Sequence, residues 1–204
     1  MIPTELNEKG LKAAIRLGVD EAIFVSESGS DQMIRFANDS LTVAKKTEES
    51  VVSVYLAKNG KRIVGGSTNT DEEGLGAFVE RLYKTMVNLT KEPVYAKLPD
   101  RPSKLKRAGA FDRGLGDAEK EVSEFASEAI AAAHAAGARR SAGALEASLV
   151  SSYLLSSNGT EGHDTTSSIL LNIRSFTERN ASGHGLSCSS TMKGFRPAEA
   201  GRRA

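Results

Sequence analysis

The chain has 204 residues, with 27 Lys+Arg against 26 Asp+Glu, a net charge of +1 and one cysteine. That length can bury a core as one domain or two small ones, and the charge balance offers no field to draw nucleic acid or an anionic membrane, so neither is expected as a partner. One cysteine excludes an internal disulfide, and neither a signal peptide nor an apolar run of ~20 residues is present, so a soluble cytoplasmic protein is expected.

The first helix is expected across about 5–17, with Leu11, Ala14 and Ile15 on one face and Gly18 ending it. Short β-like runs follow: EAIFVSE, QMIRFAN, SLTVAKK, VVSVYLA and RIVGG. Val52, Val54 and Leu56 alternate with Ser53 and Tyr55 as in a half-buried strand, and Asn59-Gly60 is a strong hairpin signal. Thr70-Asp-Glu-Glu73 has the form of a capping box. Behind it, Leu75, Phe78, Val79, Leu82, Tyr83, Met86 and Leu89 form an apolar stripe.

Residues 91–116 hold three of the five prolines and read as a long basic surface connection, including Lys104, Lys106 and Arg107. A third helix is expected over about 117–136, capped by Asp117 and stopped by Gly137. Alternating strands ALEASLVSSYLLSS, TTSSILLNIRSFTE and ASGHGLSCSS complete the pattern. Pro197 then suits the first turn of a helix, but PAEAGRRA is too short to hold one alone. A chain ending where a helix starts reads as the N-terminal portion of something longer.

The fold expected is α+β, with antiparallel-rich sheet and three main helices. The units are 1–90 (helix, β-meander, helix), the connection 91–116, a second helix-plus-meander unit 117–196 and the start of a truncated helix at 197–204. Together they would make one N-terminal domain. Landmarks in the two halves recur at offsets near 120 residues (Gly18 and Gly137, Asn38 and Asn158), which suggests an internal repeat.

The stretch ASGHGLSCSS poses the chemical question. His184 and Cys188 sit four apart; on a helix they could grip one ion, whereas on a strand they would stand ~13 Å apart, too far for ligand bonds of ~2.0–2.3 Å. Gly183, Gly185 and the surrounding serines disfavour helix, so a structural role is the main reading. A metal site of His163, His184 and Cys188 is the alternative. His134, in the alanine-rich helix, reads as a surface or boundary residue. No His-Glu-x-x-His helix, nucleophile elbow or phosphate loop occurs, and Trp is absent, so no stacking platform for single-stranded nucleic acid is evident. The residues themselves indicate no catalytic or cofactor-binding side chain.

The order of motifs resembles the N-terminal domain of the TldD/PmbA peptidases, once called modulators of DNA gyrase. The likeness is carried by LGVDEAIFVSES, IRFANDSLTVAKK, VVSVYLAKNGKRIVGGSTN with its acidic helix start, SSNGTEGHDTTSSILLNIRSF, ASGHGLSCSS and PAEAGRRA. The C-terminal stretch looks closest to archaeal-type, PmbA-like members. The resemblance implies a subunit about twice this length, whose C-terminal domain carries an His-Glu-x-x-x-His zinc helix and a cysteine ligand in catalytic members. It also implies a homodimer or a heterodimer with another family subunit, enclosing a chamber in which unfolded peptides are cleaved. No zinc or catalytic residue matches a position here, and Cys188 is not the family's ligand cysteine. This chain alone is expected to be inactive, with zinc only in a C-terminal domain or partner subunit. The competing expectation is a stand-alone, non-catalytic binding or assembly module.

Overall fold

The computed structural model describes residues 4–103, 111–178 and 181–204; the basic cluster Lys104, Lys106 and Arg107 lies outside them. The described residues form four α-helices and six strands: α1 (Thr4–Arg16), β1 (Glu21–Ala37), β2 (Ser40–Lys58), β3 (Lys61–Ser67), α2 (Glu72–Met86), α3 (Glu119–Ala135), β4 (Arg140–Ser156), β5 (Glu161–Phe176), β6 (Ser182–Ser189) and α4 (Pro197–Arg203). The strands make one antiparallel sheet of order β3-β2-β1-β4-β5-β6. The α+β expectation holds.

The five short β runs before residue 67 become three strands. EAIFVSE and QMIRFAN fuse into β1, and SLTVAKK and VVSVYLA into β2. Gly29 and Ser30, between the first two runs, lie within the continuous strand β1. Asn38 and Asp39 turn the first hairpin with φ of 48° and 64°, and Asn59-Gly60 turns the second with 52° and 73°. Paired positive φ values are what two-residue hairpins require, and Asn, Asp and Gly tolerate them.

Two compact units partition the chain. The first comprises 1–28, 49–108 and 151–164; the second comprises 29–48, 109–150 and 165–204. In the first unit, Leu6 and Ala14 of α1, and Leu75, Val79, Leu82 and Met86 of α2, close over Ala22, Phe24, Val52, Val54 and Leu56. Each Leu, Val, Met or Phe side chain among them contributes about 1.5–3 kcal/mol on full burial. Ile15, expected on the buried face of α1, is 55% exposed; its place is taken by Asn7 and Gly10, which are buried. The cap of α2 is Asp71, accepting from Gly74 N at 2.7 Å, so the helix starts one residue later than the Thr70 box predicts.

The connection after α2 is tied down rather than loose. Glu92 N donates to Gly60 O at 2.9 Å, and Leu98 N to Glu21 Oε1 at 2.7 Å. Tyr95 also donates to Glu21. Asn158 Nδ2 donates to Pro99 O at 2.9 Å, and Ser103 N to Thr160 Oγ1 at 2.9 Å. The segment is thus a strap laid across strand ends and turns of its own unit.

In the second unit, Val122, Ala126, Ala129 and Ala133 of α3 face Ile34, Phe36, Leu145, Ala147, Ile169, Leu171 and Ile173 of the sheet. Asp117 is not the cap of α3. Ala118 holds that position without a side-chain bond, while Asp117 ends a preceding 3₁₀ turn, Arg113–Asp117, and meets Lys46 at 3.2 Å. Gln32 Nε2 anchors the turn by donating to Leu115 O at 3.0 Å. The last residues form α4, whose Ala200 is buried against α3 and whose neighbour Phe195 packs edge-to-face on Phe125 at 5.2 Å. Docking supplies the stability that two helical turns lack alone.

Candidate functional site

β6 runs extended from Ser182 to Ser189, so the histidine and cysteine of ASGHGLSCSS lie on a strand. Its register places Arg174 opposite His184 and Leu170 opposite Cys188. His184 Nε2 shares a hydrogen bond with Asn172 Oδ1 at 2.7 Å, a cross-strand partner rather than a ligand shell. His163, the other member of the trio, stacks on Tyr153 with ring centroids 4.3 Å apart. It precedes Ile169, where the pairing of β5 with β6 begins. Among the described residues, no three His, Cys, Asp or Glu side chains group so as to hold a metal ion.

The glycines around His184 have a packing reason. A Cβ on Gly183 would overlap Ala204 O, and one on Gly185 would overlap Ala200 O. Only glycine lets α4 lie directly on this strand. Alternation then turns His184, Leu186 and Cys188 away from the glycine side, and all three are exposed. Across β5, Ser168, Leu170, Asn172 and Arg174 are likewise exposed, between buried Ser167, Ile169, Leu171, Ile173 and Ser175.

On this side of the second unit lies a groove of about 310 Å³. Asp31, Met33, Lys45, Thr47, Glu146 and Ser148 are among the residues that line it. Leu170 closes one part and is 39% exposed, while Ser148 and Ser168 share a 2.9 Å hydroxyl bond. The lining mixes one ammonium, two carboxylates, an amide, hydroxyls and three apolar side chains. Such a surface can hold an extended polar–apolar segment. It presents no pairing of nucleophile with base.

Electrostatics elsewhere is structural. Lys46 is held above its ordinary value, first by its hydrogen bond to Glu119, at 2.7 Å, and then by Asp117. Glu119 is correspondingly lowered, chiefly by Lys46. Burial pushes the Tyr95 phenol up, and its hydrogen bond to Glu21 adds to the rise. Burial, with Glu161 nearby, raises Tyr153 in the same direction. His134, read as a surface or boundary residue, pairs with Asp39 at 3.1 Å, and Asp39 also accepts from Ser141 N at 2.7 Å. Sequence reasoning missed the groove and the Asp39 and Glu21 contacts. The exposed alternation of β5 was the visible signal for the first; the others join residues too distant in the chain to be paired by pattern.

Comparison with known proteins agrees with this architecture. Residues 22–85 match the family model described as PmbA/TldA metallopeptidase domain 1. No curated protein matches the sequence. Among solved structures, a candidate modulator of DNA gyrase from Bacteroides thetaiotaomicron superposes with a TM-score of 0.83 at 20% identity, covering 100% of this chain and 49% of that one. A candidate modulator of DNA gyrase from Thermotoga maritima gives 0.75 at 16% identity, covering 98% of this chain and 46% of that one. TldE from Thermococcus kodakarensis gives 0.74 at 14%, over 90% of this chain and 42% of that one. The chain therefore spans about half the length of the structures it matches. Over residues 22–85 the chain is similar to domain 1 of the PmbA/TldA metallopeptidases, the family its sequence resembles, and over nearly its whole length it shares the fold of these structures.

Proposed function

We propose that this chain is the N-terminal domain of a TldD/PmbA-type zinc metallopeptidase subunit, PmbA-like and of archaeal type, acting in the cytoplasm on unfolded peptides. The observation that carries the reading is the family match over residues 22–85, joined to a fold that superposes over 90–100% of the chain on three longer proteins. Its role is to help form the dimer, with itself or with another family subunit, and the chamber wall. The open groove beside Leu170 suits this role, because alternating polar and apolar side chains match an extended peptide better than a folded ligand.

In this reading no residue of the chain performs catalysis. Zinc and the water it activates belong to a C-terminal domain or partner subunit, where the metal lowers the pKa of that water. The decisive experiment joins this segment to such a domain, or mixes it with a family partner, and follows cleavage of an unstructured peptide. Cleavage that needs the segment supports the reading. Failure both to associate and to cleave with any family partner overturns it and leaves the binding-module alternative.

A further inference from the structure

The outer edge of β2, whose Lys45 and Thr47 also border the groove, carries a self-complementary charge pattern. β3 pairs with β2 only over Val52–Lys58, so the preceding stretch, the edge of the sheet there, has β1 on one side and no described strand on the other. Residues 40–50 are exposed apart from half-buried Thr47. Unpaired edges are templates for another strand unless something prevents it.

The sequence of this edge, from Val43 to Val51, is VAKKTEESV. We propose that it pairs antiparallel with the same edge of a second copy of this chain, about a two-fold axis through Thr47. This rests on the dimer in the reading above and assigns the dimer its surface. A two-fold axis normal to the sheet keeps like faces together, so opposed residues must sum to an even number. Centring on Thr47 opposes Val43 with Val51, Ala44 with Ser50, Lys45 with Glu49 and Lys46 with Glu48. Every charge meets its opposite, and the valines meet at both ends. Centring one step earlier, on Lys46, would put lysine against lysine; one step later, on Glu48, glutamate against glutamate. Like charges directly opposed are destabilising, so the pattern selects one register.

Three of the four charges carry no ion pair with any described residue. Among the described residues no ion pair engages Lys45, Glu48 or Glu49, whereas Lys46 is already held by Asp117 and Glu119. Charged edges often serve to repel pairing, but a row of lysines would do that better than a self-complementary run of both signs. Isologous pairing makes each contact twice, so one substitution changes two contacts.

The test uses the 204-residue chain in sedimentation equilibrium from about 1 to about 100 µM. Lys45→Glu and Glu49→Lys, singly, are expected to weaken dimerisation about tenfold each, and the double exchange to restore it. Thr47→Cys in a Cys188→Ser background is expected to give a disulfide-linked dimer on oxidation, since residues on the axis lie within disulfide reach; Leu41→Cys in the same background is not. A dimer indifferent to the charge exchange and without the Thr47→Cys crosslink overturns this surface while leaving the peptidase reading intact. A chain that stays monomeric throughout overturns the self-pairing, and the cleavage assay then decides the reading separately.

Discussion

Asn7 shows how much one side chain can settle. It is fully buried on α1, donates to Tyr153 O at 3.0 Å and to Phe24 O at 3.4 Å, and accepts from Ser26. Asn7→Ala leaves several buried polar groups without partners and should cost about 3 kcal/mol, measured by urea unfolding. Gly185→Ala should cost about 2 kcal/mol or more, because the new methyl meets backbone that cannot step aside without moving α4. Glu119 links stability to pH in a definite sense. Its folded pKa lies below 4.5, so its tie to Lys46 stabilises the fold above that pH and is lost as pH falls through the folded value. Glu119→Gln should therefore lower the unfolding midpoint at pH 7, with the deficit shrinking toward pH 3. A constant deficit would show that the charge is not the cause.

Among elements, α2 and the strap that follows it were each legible only in part. The apolar stripe of α2 was legible because burial repeats with the helical period: Leu75, Val79, Leu82 and Met86 are buried as the spacing demands. Its cap was misplaced by one residue, since Thr70 and Asp71 are both good caps and only the backbone decides between them. Asp71→Ala should destabilise the protein by about 1 kcal/mol, whereas Thr70→Ala should be nearly neutral. The strap was legible as a connection and not as a tether. Its anchor, Glu21, is buried at 8% exposure and bonded to Tyr95 and to Leu98 N. Tyr95→Phe should cost about 1–2 kcal/mol and speed tryptic cleavage at Lys91 and Lys97. Unchanged cleavage would mean that the backbone contacts alone hold the strap.

At the scale of the molecule, the order helix, three strands, helix occurs twice, as α1-β1-β2-β3-α2 and α3-β4-β5-β6-α4. The compact units nonetheless each draw on both halves of the sequence, because β1, β2, β4 and β5 contribute to both. No described helix is long and apolar enough to cross a membrane. The purified chain, on the proposed reading, should retain less than roughly a tenth of an equivalent of zinc by elemental analysis. A stoichiometric, chelator-removable ion would instead favour the trio His163, His184 and Cys188.

The sequence by itself determined the α+β class, the hairpin turns and the extended state of the strand bearing His184 and Cys188. These follow from local propensity and short-period alternation, which act over a few residues. Tertiary structure alone decided that α4 docks on Gly183 and Gly185, that Glu21 anchors the strap and that strands β1, β2, β4 and β5 frame an open groove. Those outcomes rest on contacts between residues tens of positions apart, and no periodicity in a linear sequence encodes which distant surfaces will meet.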